Sequence, residues 1–308
     1  ARLSTECNAS PQLTSGRVTS VTKIFREFDQ KELDAQYNNR AHVPDYEDYY
    51  ERWNPACAEV LTNFEHHLDL PYGNRARERI DLILPEGRGP HPIQLYIHGG
   101  YWMSRSKSDQ TFLAKPFVET GVAFGLIEYD LIPDVRISDI VRQCRTAAAW
   151  IHENAHSYGL DANQIYVSGH SAGGHLTAML ALTDWTAFGN CPTDLMKGGC
   201  AISGIYDLNP IKLSYMQDIL SFNTTEVVEN SPILSDNVPK TPLIITVGAA
   251  ETDEFRRQSK AFSDDWHTKR GNCSFLEQPG SNHFSILDEL GDREGKLAQN
   301  ILTQMGVK

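Results

Sequence analysis

The stretch that decides the fold reads Ile165-Tyr-Val-Ser-Gly-His-Ser-Ala-Gly-Gly-His-Leu-Thr-Ala-Met-Leu-Ala-Leu182. It begins with a short apolar run typical of a buried strand, and apolar residues recur at helical spacing from Leu176 onward. Between the two, residues 169–173 form a G-x-S-x-G motif, with glycines two positions before and after the serine. A strand, a sharp turn and a helix in this order predict a nucleophile elbow, with Ser171 at the carboxyl edge of a sheet.

The rest of the chain alternates between short apolar runs and longer amphipathic stretches. The runs that predict strands are residues 79–84, 93–97, 122–128, 165–167, 199–203, 243–247 and 273–276. The stretches that predict helices are residues 29–68 in two pieces broken near Pro44 and Pro55, then 109–119, 139–158, 251–267 and 284–304. This alternation indicates an α/β protein with a mostly parallel central sheet and helices on both faces.

The chain has 308 residues, of which 40% are hydrophobic and 22% charged, an ordinary globular composition. We expect one domain over residues 1–308, in which residues 1 to about 75 supply an N-terminal arm and the helices of a small cap. The net charge of −12 argues against nucleic acid as a partner. A small-molecule substrate is expected instead, and a homodimer is left open.

The six cysteines show no C-x-x-C spacing, which predicts reduced thiols in a cytoplasmic protein. No apolar run reaches transmembrane length, and the first residues lack the apolar core of a signal peptide. Glycosylation sequons at Asn8, Asn223 and Asn272 keep secretion as an alternative.

The base that activates Ser171 is expected to be a histidine late in the chain, because in this arrangement the serine is followed by the acid and then by the histidine. His283 lies after the last strand and before the final helix, so we predict that it is the base. His170 and His175 flank the serine, but the elbow fixes their backbone and directs their rings elsewhere. His267 sits inside a helical stretch.

The triad acid should follow the strand at residues 243–247. Three carboxylates compete there, and the spacing of strand, Gly248, two residues and then an acid favours Glu251. Asp253 is the second candidate, although it could instead cap the next helix. Glu254 would fall in the first turn of that helix, where the helix dipole alone favours an acid.

Stabilisation of the oxyanion is expected from His98-Gly-Gly-Tyr-Trp102, a glycine-rich loop that follows a core strand. We predict that the backbone N–H groups of Gly100, Tyr101 and Ala172 form the oxyanion hole. Gly99 lets the backbone approach the substrate, His98 is expected to tie the loop down, and Trp102 to pack beneath it.

A rival motif, His152-Glu-Asn-Ala-His156, matches the H-E-x-x-H signature of zinc proteases. A third ligand is needed, and Ala162 stands where the extended pattern requires a histidine. We therefore predict no metal and no cofactor.

Taken together, the H-G-G-x-W loop and the residues Gly169-His-Ser-Ala-Gly-Gly-His-Leu176 resemble the kynurenine formamidase (arylformamidase) family, within the hormone-sensitive-lipase-like branch of the α/β hydrolases. Shorter matches lie at Ser203–Leu208, Ser231–Leu234, Glu254–Ser259 and Asp34–Asn38, so the likeness runs from about residue 30 to the end.

This resemblance implies a serine hydrolase that cleaves the formamide of N-formyl-L-kynurenine to L-kynurenine and formate, in the kynurenine pathway of tryptophan catabolism. By position it carries the nucleophile to Ser171 and the base to His283. The family acid is typically aspartate, and Glu251 departs from that pattern. The alternative is a general short-chain carboxylesterase with the same triad. The aromatic leaving group is expected against Tyr, Phe and Trp side chains from the N-terminal segment and residues 205–225.

Overall fold

A computed structural model describes residues 22–238 and 240–307 of the chain. Within these residues, eight strands form one sheet. They are β1 (Glu65–Pro71), β2 (Arg79–Leu84), β3 (His91–Ile97), β4 (Ala123–Ile127), β5 (Leu160–His170), β6 (Met196–Ile202), β7 (Leu243–Gly248) and β8 (Cys273–Gln278). All seven strands predicted from apolar runs are confirmed.

The strand order is β1-β2-β4-β3-β5-β6-β7-β8. From β4 to β8 all neighbouring strands are parallel, whereas β2 runs antiparallel to both β1 and β4. Parallel strands end at the same edge of a sheet, so the loops that follow β3, β5, β7 and β8 meet there. These four loops carry all the predicted site residues.

The α-helices are α1 (Gln30–Tyr37), α2 (Asn39–His42), α3 (Tyr46–Asn63), α4 (Lys115–Val118), α5 (Ile137–Asn154), α6 (Ala172–Ala181), α7 (Asn209–Leu213), α8 (Gln217–Leu220), α9 (Thr224–Glu229), α10 (Asp253–Thr268), α11 (Ile286–Gly291) and α12 (Lys296–Gln304). Single 3₁₀ turns or segments lie at Lys107–Ala114, Ala155–Tyr158, Trp185–Ala187 and Pro232–Leu234. None of the helices in the described ranges is long and apolar enough to cross a membrane.

Apolar clusters on both faces of the sheet hold these helices in place, and a third, smaller cluster packs α10 against β6 and β7. In β3, Leu95 and Ile97 belong to the core that also contains residues of α5 and α6. Tyr96, between them, points to the opposite face and packs in the core shared with α3, α4 and α12. The prediction of an α/β fold with a mostly parallel sheet and helices on both faces is thereby confirmed.

The N-terminal region differs from the prediction at two points. Pro55 does not break a helix but lies inside α3, whose buried Trp53 and Val60 pack on the core and outweigh the hydrogen bond that proline cannot make. The predicted helix also ends at Asn63 rather than at residue 68, and the following residues form β1 at the sheet edge. Because β1 is largely exposed, its strand character depends on pairing with β2 rather than on an apolar pattern.

The C-terminal segment is not one helix over residues 284–304 but two, α11 and α12. The turn between them needs Gly295, because a Cβ at that position would lie 2.1 Å from the carbonyl oxygen of Glu289. The predicted N-terminal arm over residues 1 to about 25 falls almost entirely outside the described residues, although Phe25 makes an isolated β-bridge with Phe28.

Candidate active site

The serine of the G-x-S-x-G motif lies between β5 and α6 in a strained backbone conformation. Ser171 has φ 58° and ψ −117°, and α6 begins at the next residue. The turn is closely packed, since a Cβ on Gly173 would lie 1.9 Å from the carbonyl oxygen of Ile97. Packing on both sides therefore holds Ser171 in a conformation that a free chain would rarely adopt, as the elbow interpretation predicts.

His283 faces this serine across the sheet edge. Its Nε2 lies 3.0 Å from Ser171 Oγ, and both residues are buried. The imidazole packs between the rings of His170 and Phe255, each with its centroid 4.6 Å away. The ring is thus held in hydrogen-bonding position from both sides.

Glu251 completes the hydrogen-bonded chain. Its Oε2 lies 2.6 Å from His283 Nδ1. Its Oε1 accepts hydrogen bonds from the backbone N–H of Gly248 at 2.8 Å and from Ser203 Oγ at 2.5 Å. Both carboxylate oxygens are therefore occupied, and one of them is aimed at the imidazole.

The two competing carboxylates lie elsewhere. The side chain of Asp253, in the first turn of α10, is 82% exposed and has no contact with His283. Glu254 is buried, but it accepts two hydrogen bonds from Arg257, at 2.6 and 2.8 Å, and one from Tyr37 Oη at 2.9 Å. Of the three candidates, the structure brings only Glu251 to the histidine.

The loops after β7 and β8 are joined by backbone hydrogen bonds. Ala249 N–H donates to the carbonyl of Gln278 at 2.9 Å, and Ala250 N–H donates to that of Ser281 at 3.0 Å. The acid comes from one loop and the histidine from the other. These two bonds therefore set the distance between Glu251 and His283, which are far apart in the sequence.

The loop after β3 has an unusual backbone. Gly100 has φ +105°, and Tyr101 and Trp102 have φ values of 50° and 58°. Among the described residues, no acceptor is bonded to the N–H groups of Gly100, Tyr101 or Ala172. Free N–H donors around the nucleophile are what an oxyanion hole requires.

A single buried carboxylate, Glu128 at the end of β4, holds both ends of this loop. Its Oε1 lies 3.0 Å from His98 Nε2, and its Oε2 accepts from Ser106 Oγ at 2.6 Å and from Lys107 N–H at 3.1 Å. Arg77 also pairs with it. Burial raises the pKa of Glu128, but the bonds from His98 and Ser106 and the charge of Arg77 outweigh burial and lower it to about 2. Glu128 is therefore ionised.

Three further side chains support the site. Trp102 is fully buried and donates from Nε1 to His175 Nδ1 at 3.2 Å, so it packs beneath the loop. Tyr101 Oη donates to the carbonyl of Tyr37 at 2.7 Å, which ties the loop to α1. Burial, then the neighbouring charge of His283, holds the pKa of His170 well below its ordinary value, so His170 is neutral.

A cavity of about 460 Å³ opens onto the serine. Its walls come from the loop after β3, from the elbow, and from the N-terminal helices and the segment after β6. The lining residues are Tyr37, Asn38, Asn39, Arg40, Tyr50, Gly99, Gly100, Tyr101, Met103, Ser104, Arg105, Asp109, Gln110, His170, Ser171, Tyr215, His283 and Phe284. Aromatic side chains come from both expected segments, but they are tyrosines, with Phe284 added, and none of these lining residues is a tryptophan.

Sequence reasoning missed Glu128, Ser203 and the wall residues Tyr37 and Arg105. Glu128 and Ser203 each follow an apolar strand, so their position at the same sheet edge was a usable signal. Ser203 also has a positive φ of 49°. Tyr37 and Arg105 had no comparable signal, because only the packing of α1 and of the loop after β3 brings them to the cavity.

The H-E-x-x-H motif lies away from this edge, at the end of α5. His152 Nδ1 is 3.1 Å from the carbonyl of Ala162. Across residues 22–238 and 240–307, no group of three histidine, cysteine or acidic side chains is arranged to hold a metal ion.

Comparison with known proteins agrees with this architecture. The family model described as BD-FAE matches residues 80–253. The kynurenine formamidase of Danio rerio is 35% identical over 246 residues, covering 78% of this chain and 82% of that protein. A crystallised protein from Silicibacter sp. TM1040 superposes with a TM-score of 0.77 at 29% identity, covering 87% of this chain and 98% of that one.

A hyperthermophilic esterase from Pyrobaculum calidifontis shares the fold, with a TM-score of 0.70 at 18% identity over 90% of this chain and 96% of that one. The resemblance inferred from the H-G-G-x-W loop and the elbow is thus confirmed. The chain is an α/β hydrolase and belongs to the kynurenine formamidase family.

Proposed function

We propose that this protein hydrolyses the formamide of N-formyl-L-kynurenine to L-kynurenine and formate, with Ser171 as nucleophile, His283 as base and Glu251 as the triad acid. The observation that carries the proposal is the hydrogen-bonded chain Ser171–His283–Glu251, with distances of 3.0 and 2.6 Å, at the base of an aromatic cavity in a kynurenine formamidase family member.

In the first step, Ser171 Oγ attacks the formyl carbon while His283 Nε2 takes the hydroxyl proton. The carbonyl oxygen becomes an oxyanion, and we assign its stabilisation to the free N–H groups of Gly100, Tyr101 and Ala172. Glu251 stabilises the imidazolium and holds its Nδ1 proton. Glu251 does not take that proton, because Nδ1 of His283 stays protonated in both the neutral imidazole and the imidazolium.

Collapse of this intermediate breaks the C–N bond. The proton on His283 passes to the departing nitrogen, so L-kynurenine leaves as a neutral aryl amine and a formyl ester remains on Ser171. Water then attacks the ester with His283 again as base. Cleavage of the C–Oγ bond releases formate and returns the proton to the serine.

The acyl side of the site fits a small group. A Cβ on Gly99 would lie 3.1 Å from Ser171 Cβ and 2.9 Å from the carbonyl oxygen of His170, so the loop passes directly over the nucleophile. The formyl group carries only a hydrogen beyond its carbonyl carbon and needs no deeper pocket. The tyrosines of the cavity supply apolar faces for the aryl leaving group.

The test is the ratio of kcat/KM for N-formyl-L-kynurenine to that for p-nitrophenyl acetate. We expect the formamide to be preferred although its bond is intrinsically less reactive than the ester. An ester preference of several orders of magnitude would identify a general short-chain carboxylesterase instead. Ser171→Ala is the control for both substrates, and its residual rate sets the background.

We further propose that residues 1–308 form one domain in a cytoplasmic enzyme. One continuous sheet supports the single domain, and Cys57, Cys144, Cys191, Cys200 and Cys273 are free thiols, as in a reducing compartment. Cys7 lies outside the described residues. Fractionation of cells that produce the protein tests the location, and light scattering tests whether it forms a homodimer.

A further inference from the structure

Two cationic side chains that line the cavity, Arg40 and Arg105, form no salt bridge within the described ranges, and of these two Arg40 is exposed. Arg105 is half-buried in the wall of the cavity and forms no salt bridge within residues 22–238 and 240–307. Two nearby cations do have carboxylate partners: Arg77 pairs with Glu128, and Lys107 pairs with Asp81. In a protein of net charge −12, such a cation inside the active-site cavity favours an anionic group of a ligand.

The guanidinium is already oriented. Its central carbon lies 3.6 Å from the centroid of the Tyr50 ring. Stacking on an aromatic ring covers one face of the planar group and leaves the N–H edge free. That edge presents two parallel donors, the geometry that a carboxylate accepts.

The backbone of Arg105 belongs to the same hydrogen-bonded unit as the oxyanion loop. Its carbonyl accepts a bond from Arg77 Nη2 at 2.8 Å, and Arg77 pairs with Glu128, which also binds His98. The backbone that carries Arg105 and the proposed oxyanion loop are therefore held by one hydrogen-bonded network. Their separation is set before any ligand arrives.

Two acceptor groups line the same cavity as this cation. Asp109 uses one carboxylate oxygen to accept from Ser106 N–H at 3.3 Å, and its Oδ1 has no partner among the described residues. Gln110 is 95% buried, and its Oε1 also has no partner in the described part of the chain. A cavity wall that holds a cation and two acceptors is complementary to a group that carries a carboxylate and an ammonium on one carbon.

We propose that Arg105 binds the α-carboxylate of the substrate, while Asp109 and Gln110 accept hydrogen bonds from its α-ammonium. The proposal rests on the proposed function and assigns the site that recognises the amino-acid end of the substrate. Arg105 takes no part in bond making or breaking. It selects substrates with a free amino-acid group over simple aryl formamides.

The first experiment compares N-formyl-L-kynurenine with N-phenylformamide, which has the formamide and the ring but no amino-acid group. Arg105→Gln should lower the ratio of their kcat/KM values by about 10- to 100-fold, mostly through KM, as expected for loss of a charge-assisted pair. Arg105→Lys should lower the ratio by an intermediate amount, because lysine keeps the positive charge but lacks the planar pair of donors.

The matched control is Arg52→Gln. Arg52 also lies over a tyrosine, with 5.0 Å to the Tyr49 centroid, but it does not line the cavity. The Arg52→Gln variant should leave the ratio of the two kcat/KM values within about twofold of the wild-type ratio. An unchanged ratio in Arg105→Gln, or an equal loss on both substrates, would overturn the assignment.

A second measurement uses only the wild-type protein and so does not depend on a variant that folds. L-kynurenine and its methyl ester are compared as inhibitors of p-nitrophenyl acetate hydrolysis. We expect the methyl ester to bind at least about tenfold more weakly, since it lacks the carboxylate. Equal inhibition by the two would overturn the role of Arg105. The proposed function fails on a separate result, the formamide-to-ester ratio of the wild-type enzyme.

Discussion

Two glutamate–histidine pairs lie at the same edge of the sheet and differ in what they can do. Glu251 is bonded to His283 and Glu128 to His98, with O···N distances of 2.6 and 3.0 Å, and all four residues are buried. The difference lies in the second ring nitrogen. In His283 it faces the hydroxyl of Ser171, whereas in His98 it lies 2.8 Å from the carbonyl oxygen of Gly99.

A carbonyl oxygen and a carboxylate can only accept hydrogen bonds, so both ring nitrogens of His98 face acceptors. His98 is therefore held between two acceptors, and neither of its nitrogens faces a donor whose proton it could take. The Nε2 of His283 can accept the serine proton, because a hydroxyl is a donor. A glutamate–histidine pair therefore holds a loop in one place and supplies a proposed base in the other. The group that faces the second ring nitrogen makes the difference: the carbonyl of Gly99 for His98 and the hydroxyl of Ser171 for His283.

The largest expected effect separates the two histidines. His283→Ala should lower kcat by about 10⁴- to 10⁶-fold, close to Ser171→Ala, because the serine loses its base. His98→Ala should lower kcat by only about 10- to 100-fold, since it loosens the oxyanion donors without removing them. Steady-state kinetics on N-formyl-L-kynurenine measures both, and equal losses in two folded variants would contradict the distinction between the pairs.

The second effect concerns Glu251, the proposed triad acid. Glu251→Gln should reduce kcat by about 10³- to 10⁴-fold, because the amide cannot stabilise the imidazolium and favours the wrong tautomer. Asp253→Asn is the matched control, since this side chain lies two residues further along the chain and is 82% exposed. It should stay within about twofold of the wild-type rate. A near-wild-type rate for Glu251→Gln would reject Glu251 as the acid.

The third effect tests whether Glu128 holds the loop after β3 in place. Glu128→Gln removes the carboxylate that holds His98 and leaves Arg77 without its ionic partner. We expect a loss of about 3 kcal/mol in the free energy of unfolding. A smaller fall in kcat than in Glu251→Gln should accompany it. Urea unfolding followed by fluorescence measures the first quantity, and a variant as stable as the wild type would show that Glu128 does not hold this loop in place.

The smallest effect is the pH dependence of that stability. The pKa of Glu128 is lowered from 4.5 to about 2 in the folded protein. The folded state therefore binds fewer protons than the unfolded state between these values, and the stabilisation is present above pH 4.5 and lost as the pH falls toward 2. The contribution is on the order of 3 kcal/mol.

The measurement is the difference in unfolding free energy between wild type and Glu128→Gln at a series of pH values. We expect a constant difference from pH 7 down to about 5, and a narrowing gap below that as Glu128 takes up a proton. A gap that stays constant down to the most acidic pH at which both proteins still fold would contradict the shifted pKa.

Local patterns were sufficient for the part of the molecule that carries the proposed chemistry. Every strand from β2 to β8 follows from an apolar run bounded by turn residues, and parallel strands bring their carboxyl ends together. The order of serine, acid and histidine along the chain then selects His283, and loop spacing selects Glu251 over Asp253. These steps use short patterns in the chain and the order in which those patterns follow one another.

The segments that surround the cavity were harder to predict from local sequence patterns. A helix was predicted to break at Pro55 and to run to residue 68, whereas α3 continues through the proline and β1 begins at Glu65. Packing of Trp53 and pairing with β2 overrode the local signals. The same holds for Tyr37, Tyr50 and Arg105, which reach the cavity only because distant segments pack around it.

The sequence alone therefore determined the fold class, the family and the identity of the candidate triad. These depend on short patterns, on their order along the chain, and on the fact that parallel strands bring the loops that follow them to one edge of the sheet. The tertiary structure alone decided which nitrogen of each histidine faces a donor or an acceptor, and which charges are left without a partner in the cavity. Hydrogen-bond partners come from segments as much as 236 residues apart, and no periodicity in the chain records them.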